Sequence, residues 1–322
     1  MRRPVFPRLA ISAAVVTYLL IVMGGIVRVT GSGLGCGLKN DWPLCNGGLL
    51  PPLQANAVIE FTHRWVAAVA TILVVALTIA AWVSQRHHRR LVVASSLAAV
   101  FFVLQIALGA LTVEFRLPGG IVLVHLANAL LLLGVLTYIA VTATTNADPS
   151  RARGAPARRS RLPSLAAGSA YVLALSGALV VETGSSAGCA GWPLCGGGFQ
   201  LPASSVDAIN LVHRFVAAVA VVVIAGVMVS LIRNREVFAP VRRWAFAVCV
   251  IVVLQVTAGA LVVDLRLPAA AQAVHLALAS ALWASLLIVA VLQRGPARIT
   301  QAEKAEAPML ERRSATPAGV TS

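Results

Sequence analysis

The chain has 322 residues, of which 59% are hydrophobic and only 11% charged, where a soluble domain carries about 25% charged residues. That composition excludes a soluble fold. The net charge of +15 invites a nucleic-acid partner, but the basic residues cluster in alternate loops between apolar runs, and the positive-inside rule accounts for them.

Eight apolar runs, over about 9–29, 59–83, 91–113, 120–143, 164–182, 209–232, 240–263 and 270–292, are each long enough to cross a hydrocarbon core of roughly 30 Å. Of the 26 basic residues, only Arg28, Lys39, Arg64, Arg116, Arg214 and Arg266 fall on one side. Both termini are therefore expected in the cytoplasm of a plasma or inner membrane, with the cysteine-bearing loops outside. The first run is longer than a signal-peptide core and has an internal counterpart at 164–182, so it is expected to remain as a span.

The chain is a tandem duplication. Gly109-Ala-Leu-Thr-Val-Glu-Phe-Arg-Leu-Pro118 returns as Gly259-Ala-Leu-Val-Val-Asp-Leu-Arg-Leu-Pro268, an offset of 150. Thr30-Gly31 returns as Thr183-Gly184 and Cys36 as Cys189, an offset of 153, so the first loop holds three extra residues near Lys39-Asn40-Asp41. Four spans per half give both halves the same orientation. The expected fold is an all-α polytopic membrane protein: two tandem four-helix bundles related by a pseudo-two-fold axis along the membrane normal. Its parts are an N-terminal bundle (1–143), a cytoplasmic linker (144–163), a C-terminal bundle (164–294) and a disordered tail (295–322).

Ionisable groups inside spans are rare and usually functional. Four of the six histidines lie there: His63, His125, His213 and His275. The pairs 63/125 and 213/275 have the same separation and similar depth. Each could simply bond across helices, but two neutral imidazoles per bundle suit axial ligation of haem iron. Zinc wants three or four protein ligands, and a ferritin-like di-iron site wants a second Glu-x-x-His motif and more carboxylates. His87 and His88 belong to a basic loop and read as solvated.

Glu60 stands three residues before His63, which puts both on one helical face with Cβ atoms roughly 5–6 Å apart. In the second half that position is Asn210, which cannot move protons. Burial beside His63 would desolvate Glu60 and suit it to proton transfer; a surface carboxylate at a helix start is the plainer reading. Arg64 and Arg214 follow the histidines and could contact haem propionates or snorkel to the interface. Cys36 with Cys45 and Cys189 with Cys195 share loops on the oxidising side and read as disulfides. Cys249 reads as a small core residue. Gln105 and Gln255 repeat inside the third and seventh spans as interhelical hydrogen-bonding groups, while Glu114/Arg116 and Asp264/Arg266 read as caps on two short turns. Gly31-Ser-Gly-Leu-Gly-Cys-Gly37 follows a span rather than a strand and lacks a nucleotide-loop spacing.

Glu60-x-x-His63-Arg64, His125, His213-Arg214, His275, the paired loop cysteines and the four-plus-four duplication together resemble the haem A synthase family over about residues 9–292. The resemblance implies oxidation of a methyl group of haem O to the formyl group of haem A, by two successive two-electron steps through an alcohol and a hydrated aldehyde. It implies haem O held by His63 and His125, Glu60 near the reacting methyl, and a resident haem b held by His213 and His275. Membrane lipid surrounds such a protein. An electron acceptor, the farnesyltransferase that makes haem O and a second copy of the chain are the partners to test for. A di-haem b cytochrome passing electrons from quinol is the rival reading, though it gives Glu60 no reason to occur once. A duplicated transporter would need spans broken near mid-membrane.

Overall fold

The computed structural model describes residues 5–37, 44–147, 160–189, 191–195 and 204–294. The loop residues Lys39–Asp41, most of the linker and the tail at 295–322 lie outside them. Eight long helices run through the described residues: α1 (Val5–Val29), α2 (Ala55–Ser84), α3 (Arg89–Glu114), α4 (Gly119–Ala147), α5 (Leu162–Glu182), α6 (Ser205–Arg233), α7 (Ala239–Asp264) and α8 (Ala269–Arg294). All eight are long and apolar enough to span a membrane, and the protein is a multi-pass membrane protein. Even the shortest, α5 with 21 residues, is about 32 Å long at 1.5 Å per residue.

The helices overrun the apolar runs by several residues, because local capping rather than hydropathy sets their ends. Helix α6 starts at Ser205 where the Ser204 hydroxyl accepts the Asp207 N–H at 3.1 Å. As a result His63 and His213 sit about two turns into α2 and α6, one turn deeper than the hydropathy pattern implied.

Within the first half, α1 packs on α2, α2 on α3, α3 on α4, and α4 back on α1; the second half repeats the ring with α5 to α8. Helices α2 and α4 thus stand at opposite corners of one bundle, and α6 and α8 at opposite corners of the other. Small residues permit the close approach. Ala10 and Ala13 of α1 are buried in one cluster with Ala70, Val74, Leu77 and Ala81 of α2. The outward faces carry exposed Ile72, Val100, Val103, Val222 and Val253, as lipid contact requires.

The bundles join through α1, α4, α5 and α8. The core of the second bundle reaches across this seam to include Ile21, Ala129, Leu130 and Leu133. Two hydrogen bonds across it obey the internal symmetry: Tyr18 Oη donates to the Ala277 carbonyl at 3.3 Å, and Tyr171 Oη to the Ala127 carbonyl at 3.2 Å. Trp283 Nε1 donates to the Leu130 carbonyl at 2.9 Å. At the cysteine-loop end, Arg28 of α1 forms a two-pronged ion pair with Glu182 of α5, both contacts 3.1 Å.

The turns repeat as closely as the helices. The α3–α4 turn places Arg116 and Leu117 at φ of 58° and 61°, and the α7–α8 turn places Arg266 and Leu267 at 60° and 64°. Two successive left-handed non-glycine residues cost roughly 1–2 kcal/mol each. Backbone bonds hold them, from Leu117 N–H to the Thr112 carbonyl at 2.6 Å and from Leu267 N–H to the Val262 carbonyl at 2.7 Å. Expected as side-chain caps, these turns are closed by backbone instead, and neither Glu114 nor Asp264 forms an ion pair among the described residues.

Candidate haem sites

His63 and His125 occupy opposite corners of the first bundle, on α2 and α4, and His213 and His275 the same corners of the second. Each imidazole lies with its Cε1 edge against a glycine of the preceding helix. A Cβ added at Gly24 would stand 3.3 Å from Cε1 of His63, at Gly109 3.2 Å from that of His125, at Gly177 3.0 Å from that of His213, and at Gly259 2.9 Å from that of His275. Four glycines thus make room for four rings, and an added methyl would press on each of them, most closely at Gly259. Gly24/Gly177 and Gly109/Gly259 keep the 153 and 150 offsets of the duplication, but nothing in their spacing marks them as contacts of the histidines.

The nitrogen partners come next. Gln105 Nε2 lies 3.1 Å from His125 Nε2, and Gln255 Nε2 lies 3.3 Å from His275 Nε2. The glutamines do bond between helices, as expected, and the group they reach is the imidazole. His213 Nδ1 lies 2.8 Å from Ser176 Oγ. Nδ1 of His63, His125 and His275 is buried with no hydrogen-bond partner.

These groups fit a haem. Each bundle offers two imidazoles at facing corners, and no group of three or more His, Cys, Asp or Glu able to hold a bare ion occurs among the described residues. The unpartnered buried Nδ1 atoms show that protein hydrogen bonds alone do not satisfy these rings, since buried polar atoms are nearly always satisfied. A side-chain amide is the sole group on Nε2 of His125 or His275, and a neutral donor of that kind can be displaced by a metal.

Glu60 is 4% exposed, which decides against a surface carboxylate at the helix start, yet it is not alone. Its Oε1 accepts from Arg64 Nη2 at 2.6 Å and its Oε2 from the Cys36 N–H at 2.8 Å. Arg64 Nη1 reaches the Leu44 carbonyl at 2.9 Å. The pair therefore ties the start of α2 to both ends of the loop closed by the Cys36–Cys45 disulfide. Gly35 passes so near α2 that an added Cβ would meet the Asn56 backbone at 2.5 Å.

The second half solves the same problem without an acid. Asn210 donates to the carbonyls of Ser185, at 3.0 Å, and Ser186, and accepts from Arg214 Nε at 2.9 Å. Arg214 then donates to the carbonyls of Cys189, Gly191 and Pro193, in the loop closed by Cys189–Cys195. Neither arginine merely snorkels: one helical turn from residue 60 or 210, each guanidinium faces its i−4 partner and the loop. Being adjacent to the histidines, the arginines point about 100° away from them, and four residues on from residue 60 or 210 they share its face. Cys249 is free and half-buried, while His87 borders Arg86 in the exposed α2–α3 turn.

The glycine contacts can be tested directly. Gly259→Ala is expected to displace His275 and lower the pyridine-haemochrome content of the purified protein by at least half of the second bundle's share. Gly226→Ala, where a Cβ meets open space, should leave it unchanged. Equal haem in the two variants would show that the ring does not need the gap.

A family model described as COX15-CtaA, cytochrome oxidase assembly protein, matches residues 7–58 and 52–287. A protein of Geobacillus kaustophilus named heme A synthase is 33% identical over 286 residues, covering 86% of each chain. Heme A synthase of Symbiobacterium thermophilum is 32% identical over 302 residues, 90% of this chain and 96% of its own. That of Lysinibacillus sphaericus is 32% identical over 292 residues, 87% and 92% of the two chains.

Proposed function

The chain belongs to the COX15-CtaA family of cytochrome oxidase assembly proteins, and from that premise we propose that it is a haem A synthase that oxidises the methyl group of haem O to a formyl group. The first bundle takes haem O as its substrate between His63 and His125. The second keeps haem b between His213 and His275; when bound, that group supplies a one-electron redox centre. Both termini lie in the cytoplasm of the cell membrane and the disulfide loops outside, which the distribution of arginine supports.

The observation that carries this reading is the single buried acid among the described residues, Glu60. Only the first bundle places a carboxylate one turn from its α2 histidine, whereas the second meets the same structural need with Asn210. A di-haem electron carrier has no use for that difference. Glu60 would accept a proton or stabilise positive charge as the methyl is oxidised. Its bond to Arg64 keeps the carboxylate in place, and its bond to Cys36 N–H makes the outer loop part of the site wall. A propionate contact by Arg64 or Arg214 would compete with the bonds these groups already make to carbonyls.

The deciding experiment is to extract the porphyrins from purified protein and identify them by mass. Haem b together with haem O or haem A is expected. Haem b alone would favour the electron carrier, and no haem would end the reading.

A further inference from the structure

The two bundles treat their histidines differently in ways that the Glu60/Asn210 contrast does not cover. In the first bundle, Asn128 donates to the Phe101 carbonyl at 2.9 Å and to Gln105 Oε1 at 2.6 Å. A backbone carbonyl only accepts, so Asn128 must turn its amine towards Phe101 and Gln105, and Gln105 must turn its own amine towards His125 Nε2. Two amides in series thus hold a donor on the nitrogen through which His125 would ligate. Position 278, the counterpart of Asn128, is leucine. Gln255 consequently has a buried Oε1 with no partner, and nothing holds it against His275.

The partner histidines show the converse. Ser176 donates its hydroxyl proton to the Leu173 carbonyl at 2.8 Å, so its oxygen accepts from His213 Nδ1. That bond orients the ring, leaves Nε2 as a lone pair, and raises ligand basicity, as outer-shell partners of metal-bound histidine generally do. Position 23, the counterpart of Ser176, is methionine, and His63 Nδ1 is buried without a partner. Both differences act in one direction: the amide on His125 is held by Asn128 while the one on His275 is not, and His213 has an Nδ1 partner while His63 has none.

We infer that Asn128–Gln105 and Met23 make the first bundle a site of rapid haem exchange, while Ser176 and Leu278 make the second a site of retention. The inference rests on the proposed assignment of substrate to the first bundle and resident cofactor to the second. It supplies what that division of labour needs, since a substrate must leave after reaction and a cofactor must stay. Asn128, Gln105 and Ser176 act here as positioning residues, through the histidines.

The test is haem release. Full-length protein in detergent, with haem b added so that both bundles fill, is mixed with excess apo-myoglobin, and transfer is followed by absorbance. Two phases are expected, the fast one absent from His125→Ala. Asn128→Leu and Met23→Ser install the second bundle's residues on different helices. Each should slow the fast phase by roughly three- to tenfold, the worth of one net hydrogen bond, and either suffices should the other fail to fold. Leu278→Asn and Ser176→Met should speed the slow phase by a similar factor. Unchanged rates in Asn128→Leu and Met23→Ser, or one phase shared by both haems, would overturn the inference so long as His125→Ala still removes a haem. A His125→Ala protein that keeps both haems would overturn the site assignment instead.

Discussion

Glu60→Gln is expected to reach the membrane folded, keep its disulfides and both haems, and make at least about 100-fold less haem A than wild type, the usual worth of a positioned acid–base group. The substitution is nearly isosteric. A glutamine oxygen can still accept the Cys36 N–H, which holds the loop, but the other terminal atom becomes an amine facing the Arg64 guanidinium, donor against donor. Removing one partner of a buried ion pair can cost about 3–5 kcal/mol, so lost product could reflect a lost fold. Haem content and thiol labelling separate the two. A colourless protein, or one with free Cys36 and Cys45, would point to a purely structural role, and near-normal haem A in a coloured, oxidised protein would remove Glu60 from the reaction. The second bundle holds the same kind of loop with Asn210, which is why a loss of fold is not the expected outcome.

His213→Ala is expected to strip the second bundle of its haem while leaving the first bundle's guest in place. His63→Ala is expected to do the reverse. The rings stand in separate bundles, and each has its own glycine, Gly177 or Gly24, with no shared contact; effects at independent sites add. Reduced-minus-oxidised spectra and mass analysis of extracted porphyrin read the two losses apart. Haem b should vanish from His213→Ala, and haem O and haem A from His63→Ala. A His213→Ala protein with the wild-type spectrum would count against the cofactor site, and loss of both pigments from either variant would mean that the bundles do not bind independently.

Part of this was legible in the chain. Hydropathy revealed eight spans because a bilayer of fixed thickness demands a minimum apolar length from every one of them. Offsets of 150 and 153 revealed the duplication and paired its histidines, because gene-level repetition is written along one dimension. The Glu60/Asn210 contrast followed from aligning the halves. Cys36 and Cys45, nine residues apart, could be paired for the same reason, as neighbours in one loop.

What lay beyond the sequence were the contacts between helices. That Gln105 meets His125, that Ser176 meets His213, and that a glycine backs every ring depends on how far each helix is rotated about its axis. The packing of the entire bundle sets that rotation, and hydrophobic periodicity is nearly silent about it when lipid-facing and interior residues are equally apolar. The reach of Arg64 back to Glu60 and across to the Leu44 carbonyl likewise needed the loop in place over α2. The sequence by itself determined how many helices cross the membrane, that they come as two matched fours, and which side chains could hold iron. Only the tertiary structure decided which neighbour each of those side chains faces, because a partner on another helix is chosen by three-dimensional packing and leaves no fixed spacing in the chain.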